Sequence, residues 1–271
     1  MAAEARQMTT DFQRVQAELL LPHELEAAVE SRPVAYLPLG SLEFHGAHLP
    51  IGLDALSAHG ICLRAASRAG GIVLPPLYQG TGGGHANYPW TIMMKSPEEI
   101  RALIWQSLER LQVFGFEVAV LFTGHFADEQ LAMTDEISGA WQSETSNAMR
   151  VLSLGVNRCA GSPIEPDHAG VFETSLLAAM WPGLPQIDRL PSLDGHPAMD
   201  PGGDTRGAHR HEPGHPLWGV FGPDPRRYQP GDAQKLLESM VSWLAGAAAG
   251  SLRPGSRNLS SARSDPHRGR K

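Results

Sequence analysis

The sequence predicts an α/β fold, a three-layer α/β/α sandwich with a mainly parallel central sheet, and three observations predict it. Short apolar runs at 34–39, 72–77, 116–122 and 150–154 alternate with stretches that carry helical periodicity. Strands separated by helices pair in parallel, with helices on both faces of the sheet. The chain has 271 residues, 42% of them hydrophobic, which is enough to bury one substantial core.

Taken in order, 24–31 reads as the end of a short helix before Pro33, and Val34–Leu39 (VAYLPL) as a buried strand. A helix is expected over 54–69, with Leu56, Ile61, Leu63 and Ala66 apolar and Asp54 at its start, where a carboxylate also caps well. Gly70 and Gly71 end it, and 72–77 forms a second strand. Ser96-Pro97-Glu98-Glu99 is a well-formed helix start. That helix runs to Val113 with Ile100, Leu103, Ile104, Leu108 and Leu111 on one face. The segment 116–122 (FEVAVLF) is the clearest buried strand, followed by a helix over Asp128–Ser143 and a strand at 150–154. Helices are expected at 172–180 and 233–248. Residues 183–232 are rich in Pro, Gly and His and read as a long irregular excursion from a single domain covering 1–249.

The net charge is −7 but unevenly placed. Residues 250–271 hold Arg253, Arg257, Arg263, Arg268, Arg270 and Lys271 against Asp265 alone, in a Ser-, Pro- and Gly-rich context that reads as a disordered basic tail. The remaining body is acidic, which argues against a nucleic-acid surface. No apolar run reaches the ~18 residues of a membrane span, and Met1 to Gln13 lacks the apolar core of a secretory signal. Cys62 and Cys159 are too few for a disulfide framework; both fall in apolar stretches and read as buried free thiols in a cytoplasmic protein.

The polar groups that stand out follow strand ends. Glu43, His45 and His48 follow the first strand, with Asp54 at the next helix start. Thr123-Gly124-His125 follows the strongest strand, and Asp167, His168 and Glu173 follow the last. In open α/β sheets the carboxyl ends of strands form the ligand crevice, so these groups are candidates for a mixed nitrogen and oxygen metal site, with ordinary strand-end polarity as the alternative. Taken singly, Asp54 is more often a helix cap than a ligand, and His125 also reads as a satisfied strand-end histidine. His196, His209, His211 and His215 match no compact ligand set and read as solvated loop.

The stretch Leu37-Pro-Leu-Gly-Ser-Leu-Glu43-Phe-His45-Gly-Ala-His48-Leu-Pro50-Ile-Gly-Leu-Asp54 resembles the signature of the creatininase (creatinine amidohydrolase) family. Thr123-Gly-His125 resembles that family's Asn-Gly-His turn, and His168-Ala-Gly-Val-Phe-Glu173-Thr-Ser175 its His-Ala-Gly-x-x-Glu-Thr-Ser run. Gly219-Val-Phe-Gly222 before Asp224-Pro225-Arg226 resembles a late family loop, so the likeness covers roughly 33 to 245. The resemblance implies a creatininase-like fold and two divalent metal ions, Zn or Mn, with Fe as a further option. Glu43, Asp54 and His125 would hold one ion; His45, Asp54 and Glu173 would hold the other, with Asp54 bridging. It also implies a catalytic role for His168, protonating the leaving nitrogen, or else orienting a metal-bound carboxylate, and for Glu173. His48 would be structural. A homo-oligomer, often a hexamer among relatives, is expected on the same ground.

The match departs from the family at one turn. Many relatives continue the Asn-Gly-His turn with glycine and a carboxylate, where this chain has Phe126, Ala127 and Asp128. The second ion must then rely on Glu173 or on Asp128, and Val171 replaces an acidic residue common in relatives. The segment 80–92 stands where the family has a substrate loop. His85, Tyr88 and Trp90, with Phe126 and Asp128, are its candidate substrate contacts; a packing loop at a subunit interface is the alternative. These changes argue against creatinine itself as the substrate. The leading expectation is hydrolysis of a C–N amide bond in a small molecule: a cyclic amide, a formamide or a short peptide end. A metal-dependent lyase or isomerase acting on a carbonyl compound is the alternative, and a non-catalytic ligand-binding protein a third. The five retained ligands count against the last.

Overall fold

The computed structural model describes residues 12–144 and 146–253. Four strands, β1 (Val34–Leu39), β2 (Ile72–Val73), β3 (Val118–Thr123) and β4 (Arg150–Gly155), form one sheet in the order β2-β1-β3-β4. All neighbouring pairs are parallel. Among the described residues six α-helices surround it: α1 (Pro22–Ser31), α2 (Leu53–Ala69), α3 (Glu98–Val113), α4 (Asp128–Ser143), α5 (Val171–Met180) and α6 (Pro230–Gly250). This is the predicted α/β/α sandwich.

The layers follow from the two-residue period of the strands. Val34 and Tyr36 of β1, with Val118, Val120 and Phe122 of β3, pack against α2, α5 and α6. Ala35, Leu37 and Leu39, with Ala119 and Leu121, face α3 and α4. Every residue of β1 and β3 is buried, as covered parallel strands require. Truncating a side chain as enclosed as Phe122 costs about 3–5 kcal/mol.

Three expectations need correction. The strand expected over 72–77 stops at Val73, because Pro75 and Pro76 have no N–H to give a neighbour. The chain returns to the sheet only at Leu77, whose N–H donates to the Pro38 carbonyl at 3.0 Å. The strand expected from 116 begins at Val118, since the Phe116 N–H instead closes the turn after α3 on Leu111. Leu103, expected on the buried face of α3, is 51% exposed. Both cysteines are buried and free. The segment 183–229 contains only short 3-10 turns. The basic tail lies outside the described residues from 254 on, as does the amino-terminal stretch up to residue 11. Among the described residues no helix is long and apolar enough to cross a membrane.

Candidate metal centre

The strand order sets the location of the site. The chain leaves β1 for β2 on one side, then crosses to β3 on the other, so the carboxyl ends of β1 and β3 flank a topological switch point. Leu39 and Thr123 are paired in register, which brings Ser41, Glu43 and His45 level with His125. The first turn of α2 is pressed against both strand ends. A Cβ on Gly40 would lie 2.1 Å from the Ala55 nitrogen, and one on Gly124 2.0 Å from the Asp54 carbonyl oxygen. Only glycine allows that approach, and the approach carries the Asp54 side chain inward. Asp54 therefore does not cap α2, which has no side-chain cap bond.

Glu43, His45, Asp54, His125 and Glu173 are all buried and converge there. The two oxygens of Asp54 face different partners. Oδ1 lies 3.1 Å from His45 Nε2, and Oδ2 lies 3.3 Å from His125 Nδ1. On the first side His45 Nε2 is also 3.5 Å from Glu173 Oε2; on the second His125 Nδ1 is 3.0 Å from Glu43 Oε2. The Ser41 hydroxyl bridges the carboxylates, with a short contact to Asp54 Oδ2 and a 3.3 Å one to Glu43 Oε2.

The donor set fits cations. A carbonyl oxygen only accepts, so the 2.9 Å contact between His45 Nδ1 and the Glu43 carbonyl places the ring proton on Nδ1. The Nε2 lone pair of a neutral His45 then points at two carboxylate oxygens, and this buried nitrogen makes no hydrogen bond. Lone pairs converging in a buried pocket repel unless a positive charge lies among them. Protonation answers the same demand: burial alone would lower the His45 ring, but Asp54 and Glu173 outweigh it and hold it well above its usual range. His125 is likewise pushed up to about 10 by Asp54 and Glu43 against its own burial. Burial, and then the Asp54 charge, push the Glu173 carboxyl well above the ordinary carboxylate range. Donors at ~2.0–2.2 Å from one ion sit about 3–3.5 Å from each other, the spacing found on both sides of Asp54.

Above this floor opens a cleft of about 140 Å³, lined by Glu43, Asp54, Gly83, His85, His125, Phe126, Ala127, His168 and Glu173. His168 stands over the floor with its ring 4.4 Å from that of His45. Its Nε2 donates to the Phe44 carbonyl at 3.1 Å, and its backbone is paired with Phe221. Burial, and then the His45 charge, hold the ring well below its usual pKa, so it is neutral.

The other expected residues divide. His85 enters the centre itself, with Nδ1 2.5 Å from Glu43 Oε1. Tyr88 stacks on Phe44 at 5.4 Å and on Trp218 at 5.7 Å and bonds His211 at 2.7 Å. Phe126 lines the cleft, but Trp90 is 80% exposed and lines none of it. Asp128 is exposed at the start of α4 and stands apart from the donors. His48 is buried against Thr174 at 3.1 Å, away from the donor set.

Sequence reasoning missed several residues. Ser41 lies inside the quoted motif without having been singled out. His209 and His215 are not solvated but gather on Asp200, with His209 Nε2 2.8 Å from Oδ1. Arg210, fully buried, grips Asp200 with two bonds of 2.6 Å and donates to the Val220 carbonyl at 3.0 Å. An arginine flanked by His209 and His215, with an acid ten residues upstream, was the signal available.

A parallel sheet that brings Glu43, Asp54 and Glu173 together with His45, His85 and His168 at its switch point defines an α/β protein with a candidate metal centre. The family described as creatininase, creatinine amidohydrolase, matches residues 18–248, and the chain belongs to it; it is a creatininase-family hydrolase. The chain is 30% identical over 203 residues to a creatinine amidohydrolase of Pseudomonas putida, spanning 66% of this chain and 75% of the relative. It is 28% identical over 177 residues to a mycofactocin precursor peptide peptidase of Mycobacterium ulcerans, spanning 62% and 66% respectively. Among solved structures, a manganese form of creatininase superposes with a TM-score of 0.71 at 25% identity, covering 89% of this chain and 99% of that one. A point variant of creatininase of Zn–Zn type gives 0.70 at the same identity and coverage.

Proposed function

We propose that the protein hydrolyses a C–N amide bond of a small molecule at a centre of two divalent ions, zinc or manganese. The observation that carries this reading is the division of Asp54, one oxygen toward His45 and Glu173 and the other toward His125 and Glu43. Glu43, Asp54 and His125 would hold one ion and His45, Asp54 and Glu173 the other, with Asp54 shared. When bound, such a pair lowers the pKa of water and polarises the carbonyl under attack.

The chain's own residues do the rest. With its proton on Nε2 toward the Phe44 carbonyl, His168 keeps a free lone pair on Nδ1. Neutral at working pH, it accepts a proton from the attacking water and returns it to the leaving nitrogen, the base-then-acid role a displaced amine needs. Glu173 is held by the Ala169 N–H at 2.6 Å, which fixes the carboxylate against His45. The cleft is small, at about 140 Å³, which supports a small-molecule amide. The metal-bearing relatives named above support the choice of ions, and the amidohydrolase and peptidase relatives support amide cleavage. A homo-oligomer is carried over from the family and is tested by light scattering.

Elemental analysis of purified protein beside Glu43→Ala and Glu173→Ala tests the centre. Two ions per chain are expected, falling with each substitution. If Glu173→Ala kept the full content, the second site as drawn would be wrong. Release of an amine and a carboxylate from a panel of small amides tests the reaction; product formed without water uptake would favour a lyase or isomerase instead.

A further inference from the structure

The contact between His85 and Glu43 differs in kind from the others at the centre. The donor pairs on either side of Asp54 are 3.0–3.5 Å apart, as atoms sharing an ion are. His85 Nδ1 lies 2.5 Å from Glu43 Oε1, too close for that and shorter than the about 2.7–2.9 Å of a charge-assisted N–H···O bond. A carboxylate only accepts, so Nδ1 carries the proton. Glu43 thus has one oxygen, Oε1, taken by His85, and the other, Oε2, facing His125 and Ser41.

His85 is held where it can do this. Its ring packs on that of His168 at 4.1 Å and on that of Phe221 at 5.1 Å, both near parallel, with Tyr88 edge-on at 5.4 Å. Its loop is tied to the start of α4: the Thr81 N–H donates to Gln130 Oε1 and the Gly83 N–H to Glu129 Oε2, each at 3.1 Å. A Cβ on Gly80 would meet Ser41 Cβ at 2.7 Å, so the loop lies directly on the strand end that carries Glu43.

We propose that His85 is a positioning residue of the metal centre, whose Nδ1–H pins Glu43 so that Oε2 alone is offered to the ion shared with Asp54 and His125. An unpinned carboxylate would turn to give both oxygens and use up a second coordination position. Catalytic sites need that position open. The loop expected to touch only substrate then also sets the coordination of the metal. This inference rests on the two-ion reading above.

The test is a zinc-binding titration of metal-free protein against a chromophoric chelator, with no substrate present. Hydrogen-bond partners of metal ligands typically affect affinity by about 10–100-fold. His85→Ala should therefore weaken one of the two zinc ions by roughly that factor and leave the other unchanged. His85→Asn keeps an N–H donor near the position of Nδ1 and should restore most of the loss. Unchanged affinities in His85→Ala would overturn the proposal. So would a His85→Asn variant as weak as His85→Ala, which would make the imidazole itself a ligand or a mere packing element. Glu43→Ala, titrated alongside, separates the two readings: if it still bound both ions like the wild type, the two-ion centre would fall, whatever His85 does.

Discussion

The floor of the cleft hangs on backbone that the sheet already fixes, while its wall hangs on clasps between side chains, two of them local and one spanning 123 positions. Glu43, His45 and His125 follow β1 and β3, whose ends are in register, and Asp54 is pressed inward by two glycine contacts. The wall is different. His211 meets Tyr88 across 123 positions, and the excursion is cinched by Arg210 on Asp200 and by Arg226, which holds Asp224 and also donates to the Pro191 and His196 carbonyls at 2.8 and 2.9 Å. A floor built this way is fixed once the domain folds. A wall built this way depends on each clasp, and substitutions in the two regions should therefore fail differently.

The largest effect is expected at the shared floor residue. Asp54→Asn keeps the volume but removes the charge that faces both donor sets, so both ions should be lost and turnover should fall to background. Elemental analysis and amine release read the two together; an Asp54→Asn enzyme with full metal and activity would break the idea of a shared bridge. His168→Gln should come next, with kcat falling about 10²–10⁴-fold and metal content unchanged. If the metal left along with the activity, His168 would belong to the floor as a ligand rather than stand over it as the proton carrier.

The same contrast explains what the sequence made legible. Each floor residue lies within a few positions of a strand end or helix start, so the alternation of β and α segments alone brought Glu43, Asp54 and His125 to one edge. Boundaries failed where local chemistry overrode the apolar pattern, as Pro75 and Pro76 cut β2 to two residues. The wall was illegible because no periodicity links Tyr88 to His211 or His85 to Glu43. His85 was singled out only as a substrate contact, since its partner is 42 positions away on another element. Ser41 was passed over because a lone serine after a strand is ordinary; only the two carboxylates closing on it give it a role.

The clasps are the next test in size. Asp200→Ala would strand the fully buried Arg210 with only the Val220 carbonyl as a partner. Breaking a buried ion pair from one side costs about 3–5 kcal/mol. For a chain of this size that lowers Tm by roughly 10 °C if unfolding is one cooperative step. The expected signature is new protease cleavage between 183 and 229 with both ions retained. Metal loss in Asp200→Ala would show that floor and wall are one cooperative unit.

The smallest effect should come from Tyr88→Phe. The substitution keeps the ring stacked on Phe44 and Trp218 and removes only the hydroxyl bonded to His211 Nδ1 at 2.7 Å. That bond is solvent-exposed, so its net worth is at the low end of about 0.5–1.5 kcal/mol. It joins the loop that carries His85 to the excursion that carries Phe221, whose ring packs on His85 at 5.1 Å. Loosening them should raise KM by about two- to five-fold, the factor that such an energy corresponds to, with kcat and zinc affinity unchanged. A fall in zinc affinity would mean that the clasp acts through His85 on Glu43, and the line between floor and wall would then run through the loop at 80–92 rather than beside it.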